Sequence, residues 1–235
     1  MHRYYDDVMK ELGEMNKMDK EVIIPFEKTE EYYIELNNFE RKIAYDTLKR
    51  CFDIIFSMLA LLILIIPMCI IAIAIKCTSE GAVLYTHDRL GKNGKPFKII
   101  KFRTMIDDAE KDCIQWSGKD DPRVTRLGVY LRRYHIDELP QLWNIFVGDM
   151  SFVGPRPERE CYYDAFETYI HGFRERLKVK PGLTGLAQVF GGGLMRPEEK
   201  IVYDIDYINR RSLWLDLNVL CKTVTTVITG RYRDI

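Results

Sequence analysis

The sequence carries no net charge: 35 Lys and Arg balance 35 Asp and Glu over 235 residues. It has no CxxC pair and no zinc-ligand spacing among its six cysteines, at 51, 69, 77, 113, 161 and 221. That excludes a cysteine-zinc site and argues against a disulfide framework, so free thiols in a reducing compartment are expected. No Gly-Lys-Ser/Thr follows the glycine-rich stretch between Gly182 and Gly193, which excludes a P-loop there. Internal repeats and low-complexity tracts are also missing. The apolar fraction of 47% is ordinary and does not call for a polytopic membrane protein. A chain this long fits one compact domain plus appendages.

The zero net charge conceals an asymmetry. Residues 1–40 hold 11 acids and 5 bases, and the remainder holds 24 acids and 30 bases. The acidic extension, rich in Tyr and Met, reads as one or two soluble helices. The basic body suits anionic lipid or phosphate ligands.

One long apolar run is present. Ile54 to Ile75 are 22 consecutive positions without a formal charge. As a helix they reach about 33 Å, enough for a hydrocarbon core of about 30 Å. A secretory leader is a poor fit, because the run starts far inside the chain, exceeds an h-region and lacks a small-residue cleavage site. Pro67 lies within it and predicts a sharp bend. Lys49 and Arg50 precede the run and Lys76 follows it, a pattern that places both ends on the cytoplasmic face. A spanning helix and a re-entrant one both remain open on these grounds.

Beyond the run, 83–87 and 97–102 read as strands, with Asn93-Gly94 as a hairpin signal. Helices are expected around 105–113, 125–134, 138–147, 158–170, 197–211 and 213–229.

The chemistry concentrates in His135-Ile136-Asp137-Glu138-Leu139-Pro140-Gln141-Leu142-Trp143-Asn144 and in Gly148-Asp149-Met150-Ser151-Phe152-Val153-Gly154-Pro155-Arg156-Pro157. Pro140 predicts a helix start, with Asp137 near its N-cap. Adjacent acids do not share a helix face, so Asp137 and Glu138 are free to take different roles. One suits attack on phosphorus and the other suits a hard cation such as Mg2+. Arg132 closes the preceding helix, and Arg156 sits between two prolines. Lys101 and Arg103 alternate along a strand and share a face. Together they form a candidate phosphate clamp, although each alone reads as a surface charge. Asp204 and Tyr207, on a polar helix, are weaker candidates.

At these residues the chain resembles the bacterial sugar transferases, the monotopic polyprenyl-phosphate phosphoglycosyl transferases. The resemblance runs from about Lys49 to about Leu217. It rests on Lys49-Arg50-Cys51-Phe52-Asp53, Lys101-Phe102-Arg103-Thr104-Met105, Asp121-Pro122-Arg123, the two runs above, and Lys180-Pro181-Gly182-Leu183-Thr184-Gly185. It implies an α+β fold, mainly helical with a small β-hairpin, with a re-entrant helix-break-helix (41–77) and a cytoplasmic catalytic domain (78–235); the acidic extension (1–40) falls outside it. It implies transfer of a sugar 1-phosphate from a UDP-sugar to polyprenyl phosphate at the bacterial inner membrane. Asp137 is then the nucleophile that forms a phosphosugar intermediate, and Glu138 holds Mg2+. Lys101, Arg132, Arg156 and Asp204 match positions associated with the active site. Membrane lipid is an implied partner and nucleic acid is not. A homo-oligomer, or a regulatory partner for residues 1–40, stays open. One departure concerns the bend, where the family commonly has Ser-Pro and this chain has Ile66-Pro67.

Overall fold

The computed structural model describes residues 22–23, 30–36, 39–106, 114–115, 121–191 and 195–229. In chain order they form β1 (Val22–Ile23), β2 (Tyr32–Tyr33), α1 (Ile43–Thr78), β3 (Leu84–Leu90), β4 (Pro96–Phe102), β5 (Ile114–Gln115), α2 (Arg126–Arg133), α3 (Gln141–Val147), β6 (Ser151–Val153), α4 (Glu160–Glu167), β7 (Ile170–His171), β8 (Gly182–Thr184), α5 (Leu186–Gly191), α6 (Pro197–Arg210) and α7 (Leu213–Thr229). The described fold is mainly helical. Its strands pair two by two, with β3–β4 antiparallel and β1–β5, β2–β7 and β6–β8 parallel.

The hairpin forms where it is expected. Its register runs from Leu84 opposite Phe102 to Leu90 opposite Pro96. Asn93 (φ 60°) and Gly94 (φ 73°) are both left-handed, which explains that dipeptide at the turn. The connection is five residues rather than two, because Lys92–Gly94 makes a 3-10 turn.

The long apolar helix differs from expectation. The break at Ile66-Pro67 is not seen: α1 continues through both residues. Proline removes one rung of the ladder, but packing carries on past it. Leu64 lies on a core cluster with Ile99, Leu142 and Ile145, and Met68 on one with Phe102 and Leu131. Contacts recur every three or four residues, through Arg50, Asp53, Ser57, Leu61, Leu64, Met68, Ile71 and Ile75. One stripe of α1 thus lies along the domain for most of its length. The opposite face, including Phe56, Leu62, Ile63, Ile66, Ile70 and Ile73, is exposed. At its N-terminal end Asp53 is buried, and its carboxylate accepts from Ser151 Oγ (3.0 Å) and Phe152 N (3.1 Å).

Residues 30–36 are extended, not helical as expected. Tyr32 N donates to Tyr169 O and Ile34 N to His171 O, both at 2.8 Å. Aromatic and β-branched side chains suit a strand once a partner exists, and that partner lies far along the chain. Val22–Ile23 are likewise a strand, paired with Ile114–Gln115. Most of the remaining N-terminal stretch expected to be helical, like most of the expected 105–113 helix, lies outside the described residues. Cys51, Cys69, Cys77, Cys161 and Cys221 are free thiols, as expected.

The main core gathers Tyr162, Tyr163, Phe166, Ile170, Phe173 and Ile201 beneath α4 and α6. The glycine-rich stretch serves close packing at its start. A Cβ on Gly154 would lie 2.4 Å from Lys180 O, and one on Gly185 would lie 2.2 Å from Gly154 O. Gly154 therefore lets the loop after β6 sit directly on the entry to β8. Gly154→Ala is expected to destabilise the fold by about 2 kcal/mol through this backbone clash. Chemical denaturation of the purified variant measures it, and an unchanged midpoint would contradict the close approach.

Candidate active site

Asp137 and Glu138 lie in a 3-10 turn, Ile136–Glu138, one turn ahead of α3. Pro140, not Asp137, occupies the N-cap of that helix. The turn starts at His135, which is left-handed (φ 54°, ψ 23°). A non-glycine residue there is strained, and such strain clusters at functional sites. Both carboxylates are buried, at 7% exposure each.

Their surroundings differ sharply. Glu138 Oε1 accepts from Lys101 Nζ (2.7 Å) and Arg156 Nη2 (2.5 Å), and Oε2 accepts from Arg156 Nη1 (3.3 Å). Burial works to raise its carboxyl, but Arg156 and Lys101 outweigh it and hold the group well below the usual range. Among the described residues, the Asp137 carboxylate makes no hydrogen bond or ion pair. Burial pushes it up to about 6; Glu138 adds to the rise, while Lys101, Arg132 and Arg156 oppose it. Two neighbouring acids are thereby driven apart. One is a fixed anion in a cationic grip, and the other is a loosely held carboxylate that titrates near neutrality.

Each cation arrives on its own element. Lys101 comes from β4, and Asn144 of α3 locks that strand to the helix after the acid pair. Asn144 Nδ2 donates to Lys98 O (2.8 Å), and Ile100 N donates to Asn144 Oδ1 (3.1 Å). Arg132 comes from the last turn of α2, and its Nε donates to Thr104 Oγ1 (2.9 Å). Thr125 caps α2 by accepting from Gly128 N (2.9 Å). Arg156 lies in the Pro-flanked loop after β6. The carbonyls of that loop are held from two sides: Arg176 donates to Arg156 O (3.1 Å), and Arg89 donates to Pro157 O (3.1 Å).

Lys101 and Arg156 therefore meet Glu138 directly, and Arg132 lies near enough to oppose the rise of the Asp137 carboxyl. Three other candidates meet different partners. Arg103 turns away and donates to Ser79 O (3.0 Å) and Ser79 Oγ (2.9 Å), just after α1 ends. Arg103 N still donates to Val83 O (2.9 Å), in register with the hairpin, so it is the side-chain partner Ser79 and not a loss of pairing that draws the guanidinium away from the acid pair. Asp204 is buried against Arg176 (2.6 Å) and supports the Arg156 loop from behind. Tyr207 donates to Asp216 (2.8 Å) and Val153 O (3.2 Å), and its hydroxyl meets that of Tyr45 (3.2 Å). It thereby ties α6 to α1, α7 and β6. Ile66 and Pro67 are exposed on α1 and take no part in the site.

Arg176 and Arg89 are the functional residues that sequence reasoning misses. Arg176 is 2% exposed, and its guanidinium lies over the Phe173 ring at 4.8 Å. Its partner Asp204 lies 28 positions away (204 − 176). In Phe-Arg-Glu-Arg-Leu-Lys it looks like one charge on a solvated surface.

Among the described residues, no group of three or more His, Cys, Asp or Glu is placed to cage a metal. Glu138 with Asp137 suits only a cation that takes its remaining ligands from a phosphate substrate and water.

Residues 44–230 match the family model described as bacterial sugar transferase. A UDP-N-acetylgalactosamine-undecaprenyl-phosphate N-acetylgalactosaminephosphotransferase of Aeromonas hydrophila is 39% identical over 189 residues, covering 79% of this chain and 45% of the relative. A UDP-glucose:undecaprenyl-phosphate glucose-1-phosphate transferase of Escherichia coli is 38% identical over 203 residues, covering 81% and 44%. One of the same description from Caulobacter vibrioides is 41% identical over 195 residues, covering 80% and 72%. The chain spans less than half the length of the first two relatives. With the family model matched across most of its residues, and the acid pair and its cations in place, the chain belongs to the bacterial sugar transferase family.

Proposed function

We propose that this chain transfers a sugar 1-phosphate from a UDP-sugar to polyprenyl (undecaprenyl) phosphate, releases UMP, and so initiates a surface glycan such as capsule, exopolysaccharide or O-antigen. The observation that carries this reading is the contrast within the acid pair: Glu138 gripped by Lys101 and Arg156, Asp137 beside it with no hydrogen bond or ion pair among the described residues. The relatives' names supply the substrate classes.

In the first step an Asp137 oxygen attacks the phosphorus that bears the sugar. A bond forms between that oxygen and phosphorus, the bond to the bridging oxygen breaks, and UMP leaves with the electron pair. In the second step a phosphate oxygen of the polyprenyl phosphate attacks the same phosphorus. Asp137 leaves as a free carboxylate, and the product is a polyprenyl diphosphate-sugar. Arg156, Lys101 and Arg132 offset the charge of an anionic nucleophile approaching an anionic diphosphate. Splitting the transfer lets a water-soluble donor and a lipid acceptor use one site in turn. Mg2+ is the proposed cofactor, with Glu138 as its carboxylate ligand; bound, it adds charge neutralisation at the diphosphate.

The proposed setting is the cytoplasmic face of the bacterial inner membrane, with both ends of α1 on that face. The support is mechanical. Arg50 near the start of α1 and Ile75 near its end both pack on the same domain, while the apolar face between them is exposed. A helix crossing to the far side would carry one end away from that domain.

UMP release, measured across a panel of UDP-sugars with polyprenyl phosphate and Mg2+, tests the activity. Absence of release with every donor would defeat it. The same assay carries a pH prediction. Asp137 must be ionised to attack, and burial raises its pKa to about 6. First-step kcat/KM is expected to fall about tenfold per pH unit below that value and to level off above it. A profile flat down to pH 4.5 would exclude Asp137 as the titrating nucleophile.

A further inference from the structure

A second cationic site lies where α1 meets the domain, away from the acid pair. A cleft there is lined by Lys49, Arg50, Lys92, Lys180 and Arg211, against two acids, Asp46 and Asp53. Most of these charges are already engaged. Lys49 pairs with Asp216 (2.6 Å), and Arg50 donates to Ile145 O and Phe146 O (2.7 Å each), closing the end of α3. Arg211 donates to Ile208 O and Glu40 O. Asp53 accepts from Ser151 and Phe152.

Lys180, Lys92 and the acid Asp46 are the exceptions among the described residues, and Lys180 is the more enclosed of the two cations. It is half-buried, and its ammonium makes no hydrogen bond or ion pair among the described residues. Arg50 Nη2 and Lys180 Nζ both lie beside Gly148, at 3.0 and 3.3 Å from where its Cβ would stand. Burial, with Arg50 and Lys92 nearby, pushes Lys180 below the usual lysine range, against the weaker pull of Asp53 and Asp149. Lys92 is exposed and likewise without a partner among the described residues. Asp53 and Asp149 lie near enough to oppose the shift of Lys180, but neither pairs directly with its ammonium. A half-buried ammonium without a paired counter-ion is costly, and an anion seated between Lys180, Arg50 and Lys92 offsets that cost.

The position selects the anion. Arg50 and Asp53 immediately precede the uncharged run that starts at Ile54. On the adjoining α7, Asp216 holds Lys49, and Trp214 and Leu217 on either side of it are exposed. The cleft therefore opens beside two exposed apolar surfaces, at the level where a bilayer presents its headgroups. We propose that the Lys92–Lys180–Arg50 cleft binds the phosphate group of a membrane lipid, holding it at the edge of α1. Two lipids share that chemistry, the phosphodiester of an anionic phospholipid and the phosphomonoester of the polyprenyl acceptor. The proposal stands independently of the chemistry at Asp137.

Competitive amine labelling of the full-length protein tests it. The protein is held in maltoside micelles, which contain no phosphate, and the labelling rate of Lys180 is read by mass spectrometry. Lys98, exposed on the hairpin and paired with Asp88, serves as the internal reference. Micelles are doped with phosphatidylglycerol in one arm and polyprenyl phosphate in another; a third arm has equal inorganic phosphate in the buffer. Lys180 labelling is expected to slow at least about fivefold in a lipid arm while Lys98 is unchanged. Lys92→Gln is expected to weaken that protection by about tenfold in lipid concentration. Protection by polyprenyl phosphate alone identifies the acceptor, and protection by phosphatidylglycerol identifies bulk lipid. Protection by inorganic phosphate only, or by none of the three, overturns the proposal. Repeating the labelling with Asp137→Asn separates this result from the catalytic reading, since protection is expected to persist there.

Discussion

Asp137→Asn is expected to reduce UMP release by about 10^4-fold or more, equivalent to about 5.5 kcal/mol of transition-state stabilisation. The substitution keeps the shape of the side chain and removes the anionic oxygen that attacks phosphorus. Among the described residues the carboxylate makes no hydrogen bond or ion pair, so its replacement leaves no partner stranded. Lys101 and Arg156 remain on Glu138. The effect is therefore expected on the reaction and not on the fold. Stability works in the opposite direction. The folded-state pKa of Asp137 lies near 6, above its ordinary value, so this group's contribution to wild-type stability is fully present below about pH 4 and is lost as pH rises through about 6. The asparagine variant lacks that titration. It is expected to be at least as stable as wild type at pH 7.5 and to lose the advantage at pH 4. Intact-mass analysis after mixing with UDP-sugar separates nucleophile from bystander. Wild type is expected to gain the mass of one sugar phosphate and the variant none. Normal turnover by the variant would remove the covalent mechanism.

The same acid pair shows what was readable in the sequence and why. Asp137, Glu138, Arg156 and Asn144 lie within two short runs, because one turn, one helix and one Pro-flanked loop bring them together locally. Lys101 was readable because a hairpin with Asn93-Gly94 at its turn fixes which residues share a face. Arg103 shows the limit of the same logic: its backbone stays in register with Val83, yet its long side chain is drawn to Ser79 at the end of α1, a partner that strand alternation does not reveal. Asp204 and Tyr207 are three apart on one helix and do share a face, yet they meet different partners, Arg176 and Asp216. Only tertiary packing decides that. Their importance was visible and their role was not. Arg89 and Arg176 support the catalytic loop through backbone carbonyls, an interaction that has no residue-type signature at the accepting end.

The apolar helix was legible in length and start, while the break expected at its centre is not seen, since α1 runs through Ile66 and Pro67. Pro67 predicts a break when a helix is considered alone. In the fold, Leu64 and Met68 on either side of it are anchored on successive core clusters, and the backbone stays helical across it. A signal for that anchoring exists. Asp53 and Ser57 are one turn apart at the edge of the run, and both are buried against the domain. A polar stripe in an apolar segment marks the face turned away from lipid. Residues 30–36 carried no comparable signal, because the strand that orders them is supplied about 140 positions later by Ile170 and His171.

Arg156→Lys is expected to lower kcat/KM by about 10^2-fold, or about 2.7 kcal/mol, although it preserves the charge. The guanidinium fork spans both oxygens of Glu138, with Nη2 on Oε1 and Nη1 on Oε2. A lysine ammonium is a point donor on a flexible stem and cannot hold two oxygens in one plane. Glu138 would keep Lys101 on Oε1 but lose the constraint on Oε2, and its orientation beside Asp137 would loosen. The loop itself is expected to stay in place, because Arg176 and Arg89 hold its carbonyls irrespective of the side chain at 156. The loss is therefore expected in kinetics, with thermal stability nearly unchanged. Arg103→Lys gives the contrast. Arg103 is buried, and its guanidinium donates to Ser79 rather than to the acid pair. Shortening that reach is expected to lower the melting temperature while kcat/KM stays within about threefold of wild type. The two variants exchange one cation for another within one catalytic domain, so only the geometry distinguishes them. Equal kinetic losses in both, or none at Arg156, would mean that general positive charge, not a fork fixed on Glu138, prepares this site for phosphate.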